Sequence, residues 1–187
     1  MRNADLEQHL DAILRRAPLR MQVLEMVRSL ALPDWAVGAG FIRAAVWDEL
    51  CGYRIASPVD DIDVLYFDPE HCDARDDEAQ ESKLRDLAPA LPWSVRNQAR
   101  MHIRNGDPPY GSTADALRFW LETPTCIAVR LGQAGQLDVI APYGLADLFA
   151  MTIRPTPSGH RRKADYTARI EHKRWHESWP NVTVEYP

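Results

Sequence analysis

The stretch from Trp35 to Asp68 constrains the fold more than any other part of the chain. "WAVGAG", beginning at Trp35, reads as a short buried strand that ends in glycines. "FIRAAVWDEL" follows, with Ile42, Ala45, Val46 and Leu50 supplying a helix of about three turns that starts at the glycine turn and stops at Gly52. "IDVLYF", Ile62 to Phe67, is β-branched and aromatic, so it predicts a second strand. Strand, glycine turn, helix and strand in this order require a sheet with at least one helix packed on it.

The flanking segments extend that picture. Leu6, Leu10, Ile13, Leu14 and Ala17 fall at helical spacing, and Pro18 opens a second helix whose apolar face is Val23, Leu24, Val27 and Leu30. "DEAQESKLRDLAPAL" predicts a charged helix, and "WSVRNQARMHIR" alternates Trp93, Val95 and Asn97 against Ser94, Arg96 and Gln98, which predicts a strand. "ADALRFWLE" and "GLADLFAM" read as helices. Between them, "TCIAVRL" and "QLDVIAP" flank "GQAG" as a hairpin. The order predicts an α/β protein of the α+β type, a mixed sheet flanked by helices. At 187 residues the chain has the size of one domain, 1–187, with a core of about 35–153 and an extension of 154–187. That extension is basic: between Arg154 and Arg174 it holds seven Lys and Arg against two acids.

Charge and composition exclude several functions. A net charge of −5 argues against duplex DNA as a partner, because a general nucleic-acid binder needs a basic surface to displace counterions. Cys51, Cys72 and Cys126 match neither a disulfide framework nor a zinc-ligand spacing, so a reducing, cytoplasmic setting is expected. No apolar run approaches the roughly 18 residues that cross a bilayer, so no membrane partner is expected.

The glycine turn has two chemical readings. Gly38, Ala39 and Gly40 begin the dinucleotide fingerprint G-x-G-x-x-G/A, and Asp60 or Asp61 stands about 20 residues on, but Arg43 occupies the sixth position where a small residue must let helix and sheet approach. The other reading starts from Asp61 and Asp63, two apart on a strand and so on one face, with Asp60 pointing the other way. Adjacent like charges repel unless a cation compensates, and magnesium favours oxygen ligands and substrate phosphates. Without that cation, the same acids would merely solvate a strand end.

Taken together, "GAGFIRAAVWDELCGY", "DDIDVLYFDP", "WSVRNQARMH" and "LDVIAPYGLADLF" resemble the DNA polymerase beta-like nucleotidyltransferase superfamily, and most of all its small bacterial nucleotidyltransferase-like family. The resemblance covers most of residues 35–153. It implies a palm-like sheet, two magnesium ions, and transfer of a nucleoside monophosphate from a nucleoside triphosphate to a hydroxyl acceptor with release of pyrophosphate. Two departures stand out: Ala39 replaces the usual Gly or Ser, removing one hydroxyl donor to phosphate, and the gap from the turn to Asp61 is long.

The resemblance also implies a third carboxylate on a strand beside that of Asp61 and Asp63. Asp138 in "QLDVIAP" fits, since an unpaired carboxylate inside a sheet is costly without a partner, and the expectation is that it lies within about 4 to 6 Å of the other two acids. Asp115 and Asp147 compete, but helix starts or exposed helical faces account for them. Gly38 and Gly40 would let the backbone approach phosphates, and Arg43 would add charge-assisted hydrogen bonds or else lie along the surface. Asn97, Gln98 and Arg100 either line the same cleft or are the polar residues of an edge strand. His172 and His176 are four apart, yet an exposed basic helix explains them better than a metal pair, with Trp175, Trp179 and Tyr186 packing it on the body. The acceptor stays open among a small molecule, a protein side chain and an RNA end. A nucleotide- or partner-binding module without turnover is the competing class, and acids paired to Arg or Lys would favour it.

Overall fold

A computed structural model describes residues 2–187. The chain opens with α1 (Asn3–Arg15) and α2 (Pro18–Ser29), the latter started by proline at its first position. They turn Leu6, Leu10, Ile13, Leu14, Val23, Leu24 and Val27 into the core, as the spacing predicts. Next come β1 (Ala36–Gly38), α3 (Gly40–Leu50) and β2 (Ile62–Tyr66). Phe41 through Asp48 are all buried, because α3 packs against α1, β1 and β2 at once.

α4 (Ala74–Leu87) is capped by Asp73, whose side chain accepts from the Arg75 amide, and leads to β3 (Trp93–Asn97). Here the sequence expectation of a longer strand fails. The Asn97 side chain accepts a hydrogen bond from the Ala99 amide at 3.0 Å, an N-cap that turns the chain into α5 (Gln98–Asn105). α6 (Thr113–Leu117), capped by Ser112, is also shorter than "ADALRFWLE" suggests. β4 (Ala128–Leu131) and β5 (Leu137–Ile140) form the expected antiparallel hairpin, and α7 (Ala146–Phe149) follows.

The five strands make one sheet in the order β3-β2-β1-β4-β5. β1 runs antiparallel to both β2 and β4, while β2 and β3 are parallel. This is the mixed sheet flanked by helices that the sequence predicts. It also removes the dinucleotide reading, since that fold needs parallel strands around the helix that follows the glycine turn.

After β6 (Thr152–Ile153) come α8 (Pro157–Arg161), α9 (Lys163–Lys173), α10 (Trp175–Ser178) and β7 (Thr183–Val184), and β7 pairs parallel with β6. Trp175, Trp179 and Val182 join the same apolar core as Leu6 and Val37. Tyr186, expected to help seat the tail, is 60% exposed and stands edge-on to Tyr166.

Candidate active site

A cleft of about 350 Å³ opens where α3, the start of β2 and α9 converge. Its floor begins at the glycine turn. A methyl on Gly38 would come to 3.0 Å of the Ile127 carbonyl and 3.1 Å of the Ala128 Cβ, so a side chain there would crowd the start of β4. Ala39 takes φ 55° and ψ −130°, an uncommon conformation for a residue with a side chain, held by its amide bonding the Ile127 carbonyl at 3.0 Å. Gly40 starts α3. A Cβ added to Gly40 would lie 3.5 Å from Asp61 Oδ1 and 3.7 Å from an Arg43 guanidinium nitrogen, so acid and cation flank this glycine.

Asp63 sits on β2 opposite Gly38, and Asp61 immediately precedes the strand. Both line the cleft, and so does Asp60. The expectation that Asp60 points away fails because residues 60 and 61 lie before β2, where strand alternation has not begun. Burial, and then the neighbouring Asp61, push the Asp63 carboxyl up to about 6. Among the described residues neither Asp61 nor Asp63 forms an ion pair.

Facing these acids is Arg43, only 7% exposed. Its guanidinium carbon lies 5.0 Å from the Trp47 ring, 4.7 Å from Trp175 and 5.6 Å from Trp179. Its Nε has no hydrogen-bond partner. Burial, reinforced by the cation Arg169, lowers its pKa to about 10, which leaves it charged at neutral pH. Glu122, Asp61 and Asp60 act the other way and favour its charge, so the cleft holds a buried cation and acids side by side. Arg162, Arg169 and Lys173 of the tail line the same cleft, with Glu122, Asn105, Phe119 and Trp120 completing it. Glu122 is buried and bonded by Arg169 and by the Thr125 hydroxyl.

Not every expected residue is there. Asp138 lies on β5, the outer strand, with β1 and β4 between it and β2. At about 4.8 Å per strand step that is roughly 14 Å across the sheet, and the expected 4 to 6 Å is overturned. Its partner is Arg130 on β4, at 3.6 Å. Asp115 and Asp147 are accounted for as expected, the first in the opening turn of α6, the second paired with Arg154 and Thr123. Asn97, Gln98 and Arg100 do not line the cleft: Asn97 ties the loop after β2 through Asp68 and His71, and Arg100 pairs with the buried Asp77. Gln98 bonds the Arg96 carbonyl. His172 and His176 lie on different helices, both exposed, separated by Arg174 in a left-handed conformation. Among the described residues no group of three or more His, Cys, Asp or Glu side chains is arranged to hold a metal ion.

Sequence reasoning missed Glu122, Arg162, Arg169, Lys173 and Trp179. The basic run of the extension was the available signal for three of them, since Arg162, Arg169 and Lys173 are spaced to share a helical face.

Residues 25–184 match the model of a family described as "Nucleotidyltransferase", and the chain belongs to that family. A protein solved by NMR, described as revealing a CCA-adding enzyme head domain, is 32% identical, covers 96% of each chain and superposes with a TM-score of 0.85. A CCA-adding enzyme in complex with CTP shares the fold at 14% identity and TM-score 0.62, with 94% of this chain matching 43% of that one. A tRNA-processing enzyme in an apo form is 16% identical at TM-score 0.55, over 88% of this chain and 42% of its own. No curated protein matches the sequence significantly.

Proposed function

We propose that the cleft binds a nucleoside triphosphate with magnesium and transfers its nucleoside monophosphate to a hydroxyl acceptor. One observation carries the reading: buried Arg43, whose Nε has no hydrogen-bond partner, shares the cleft with Asp61 and Asp63, neither of which forms an ion pair among the described residues. Arg43 and the turn amides suit the phosphate chain, with Arg169 and Lys173 adding charge. Phe119 and Trp120 offer an aromatic wall for a base, and the Asn105 amide and Arg162 guanidinium offer hydrogen bonds to its edge.

Asp61 and Asp63 fit magnesium, because a divalent cation relieves the repulsion that raises the Asp63 carboxyl, and substrate phosphates complete such a site. The two ions implied by the resemblance would supply neutralisation of the charge gathering on the phosphate oxygens. The protein's own part is positioning. The acceptor oxygen attacks the α-phosphorus in line, its bond to phosphorus forms as the bond to the β-phosphate oxygen breaks, pyrophosphate leaves, and the acceptor proton passes to solvent. No protein nucleophile is involved.

That Asp61 and Asp63 form no ion pair among the described residues weighs against a module without turnover, whose acids would pair with Arg or Lys. The CCA-adding description of the 32% identical protein brings an RNA end forward beside the small-molecule and protein hydroxyls as acceptor. Free thiols at Cys51, Cys72 and Cys126 fit action in a reducing cytoplasm. No helix among the described residues is long and apolar enough to cross a membrane.

The test is Asp63→Asn, which removes charge with little change of volume. Calorimetry with magnesium and a non-hydrolysable triphosphate should give binding to the native protein and none of the magnesium-dependent part to the variant. Unchanged binding removes Asp63 from the site. Incorporation of an α-labelled nucleotide into RNA ends, proteins or small alcohols then sorts the acceptors.

A further inference from the structure

Asp48 is buried on α3, 6% exposed, and makes no ion pair among the described residues. Its carboxylate instead collects three donors from two distant pieces of chain. The Ser57 amide bonds Oδ2 at 2.8 Å, the Ser57 hydroxyl bonds Oδ1 at 2.6 Å, and the Trp179 indole N–H bonds Oδ1 at 2.8 Å. The Asp48 carbonyl accepts from the Tyr53 amide at 2.9 Å, and the Tyr53 hydroxyl donates to the Ser178 carbonyl at 2.6 Å.

These bonds join the parts that make the cleft. Ser57 belongs to the loop between α3 and β2, whose last residues, Pro58 to Asp61, line the cleft and deliver two of its acids. Trp179 belongs to the tail and is one of three indoles around Arg43, which α3 carries five residues before Asp48. A buried carboxylate without an ion pair is costly unless hydrogen bonds compensate it; the charge of Arg20 reaches Asp48 only from beyond contact, and the three donors supply the bonds.

We propose that Asp48 is a positioning residue that couples the tail's cage around Arg43 to the loop carrying Asp60 and Asp61, so that cation and acids face one ligand. The proposal rests on the nucleotide reading above. Asp48 touches no reacting atom. Losing its grip lets the loop and Trp179 move separately, and the cost falls on a ligand that needs both ends.

The experiment compares native protein, Asp48→Asn, Trp179→Phe and the double variant by calorimetry with magnesium and a non-hydrolysable triphosphate, with circular dichroism and melts to score folding. Phenylalanine keeps a ring beside Arg43 while removing the bond to Asp48. Each single variant should weaken nucleotide binding about tenfold, and the double variant little further, because both break one linkage. Folded variants that bind as tightly as native protein, or effects that multiply fully, overturn the proposal. If Asp48→Asn does not fold, Ser57→Ala replaces it: native affinity in both Ser57→Ala and Trp179→Phe overturns the proposal equally. Native protein that binds no triphosphate sinks the nucleotide reading and this proposal with it, whereas native binding with indifferent variants sinks this proposal alone.

Discussion

A carboxyl held near 6 fixes the sign of a pH effect at Asp63. The folded protein keeps this proton to higher pH than the unfolded chain, whose value is near 3.8. Between those values the folded state binds more protons, so raising the pH costs stability, and the full cost is present above about 6. Metal-free Asp63→Asn should therefore melt higher than native protein at pH 8, by the equivalent of roughly 1–3 kcal/mol, and show little gain at pH 4. Denaturant melts at the two values check it, and equal gains at both would rule out a titrating Asp63. The glycines separate in the same way. Gly38→Ala must push against the Ile127 carbonyl and the Ala128 methyl and should lose about 1–3 kcal/mol of stability. Gly40→Ala meets only ordinary contacts, so it should fold normally while its methyl sits between Asp61 and Arg43 and weakens triphosphate binding. Melting and titration of both variants distinguish the two; a destabilised Gly40→Ala with native affinity would contradict this account of the turn.

Local pattern carries elements well and neighbours poorly. The glycine turn, Asp61, Asp63 and Arg43 were legible because one short segment, Gly38 to Asp63, holds strand, turn, helix and strand together. Asp138 was not, because strand order is set by long-range pairing: its hairpin follows from local pattern, but nothing in "QLDVIAP" says that β1 and β4 will stand between it and β2. Asn97 failed for another reason. Its alternation fits a strand and its side chain fits an N-cap, and it serves both, as the last residue of β3 and the cap of α5. The corrected place of Asp138 has a consequence. Paired with Arg130 at 3.6 Å while both are partly exposed, it should cost no more than about 0.5 kcal/mol when changed to Ala. Asp138→Ala should keep the native gain in melting temperature on adding magnesium and triphosphate. A lost gain would return Asp138 to the site.

Across the whole molecule the cleft is shared between the body and a tail that sequence alone presents as a basic appendage. What docks that tail is partly apolar, through Trp175, Trp179 and Val182, and partly ionic, through Arg154 with Asp147, Arg161 with Asp107 and Arg169 with Glu122. Glu122, its side chain 1% exposed, precedes the 3-10 turn Thr123–Thr125 that leads towards β4, and Arg169 reaches it from α9 with its own side chain 38% exposed. Removing only the arginine strands a buried carboxylate, whose Thr125 hydroxyl bond is not enough to compensate it. Arg169→Gln should cost roughly 2–4 kcal/mol, below the figure for a fully buried pair because the arginine is partly hydrated. Adding Glu122→Gln removes the stranded charge and should restore much of that stability. Triphosphate binding should not return with it, since the cation that lines the cleft is still missing. Denaturant melts and calorimetry on the single and double variants give both readouts, and a double variant that recovers stability and native affinity together would confine Arg169 to docking the tail.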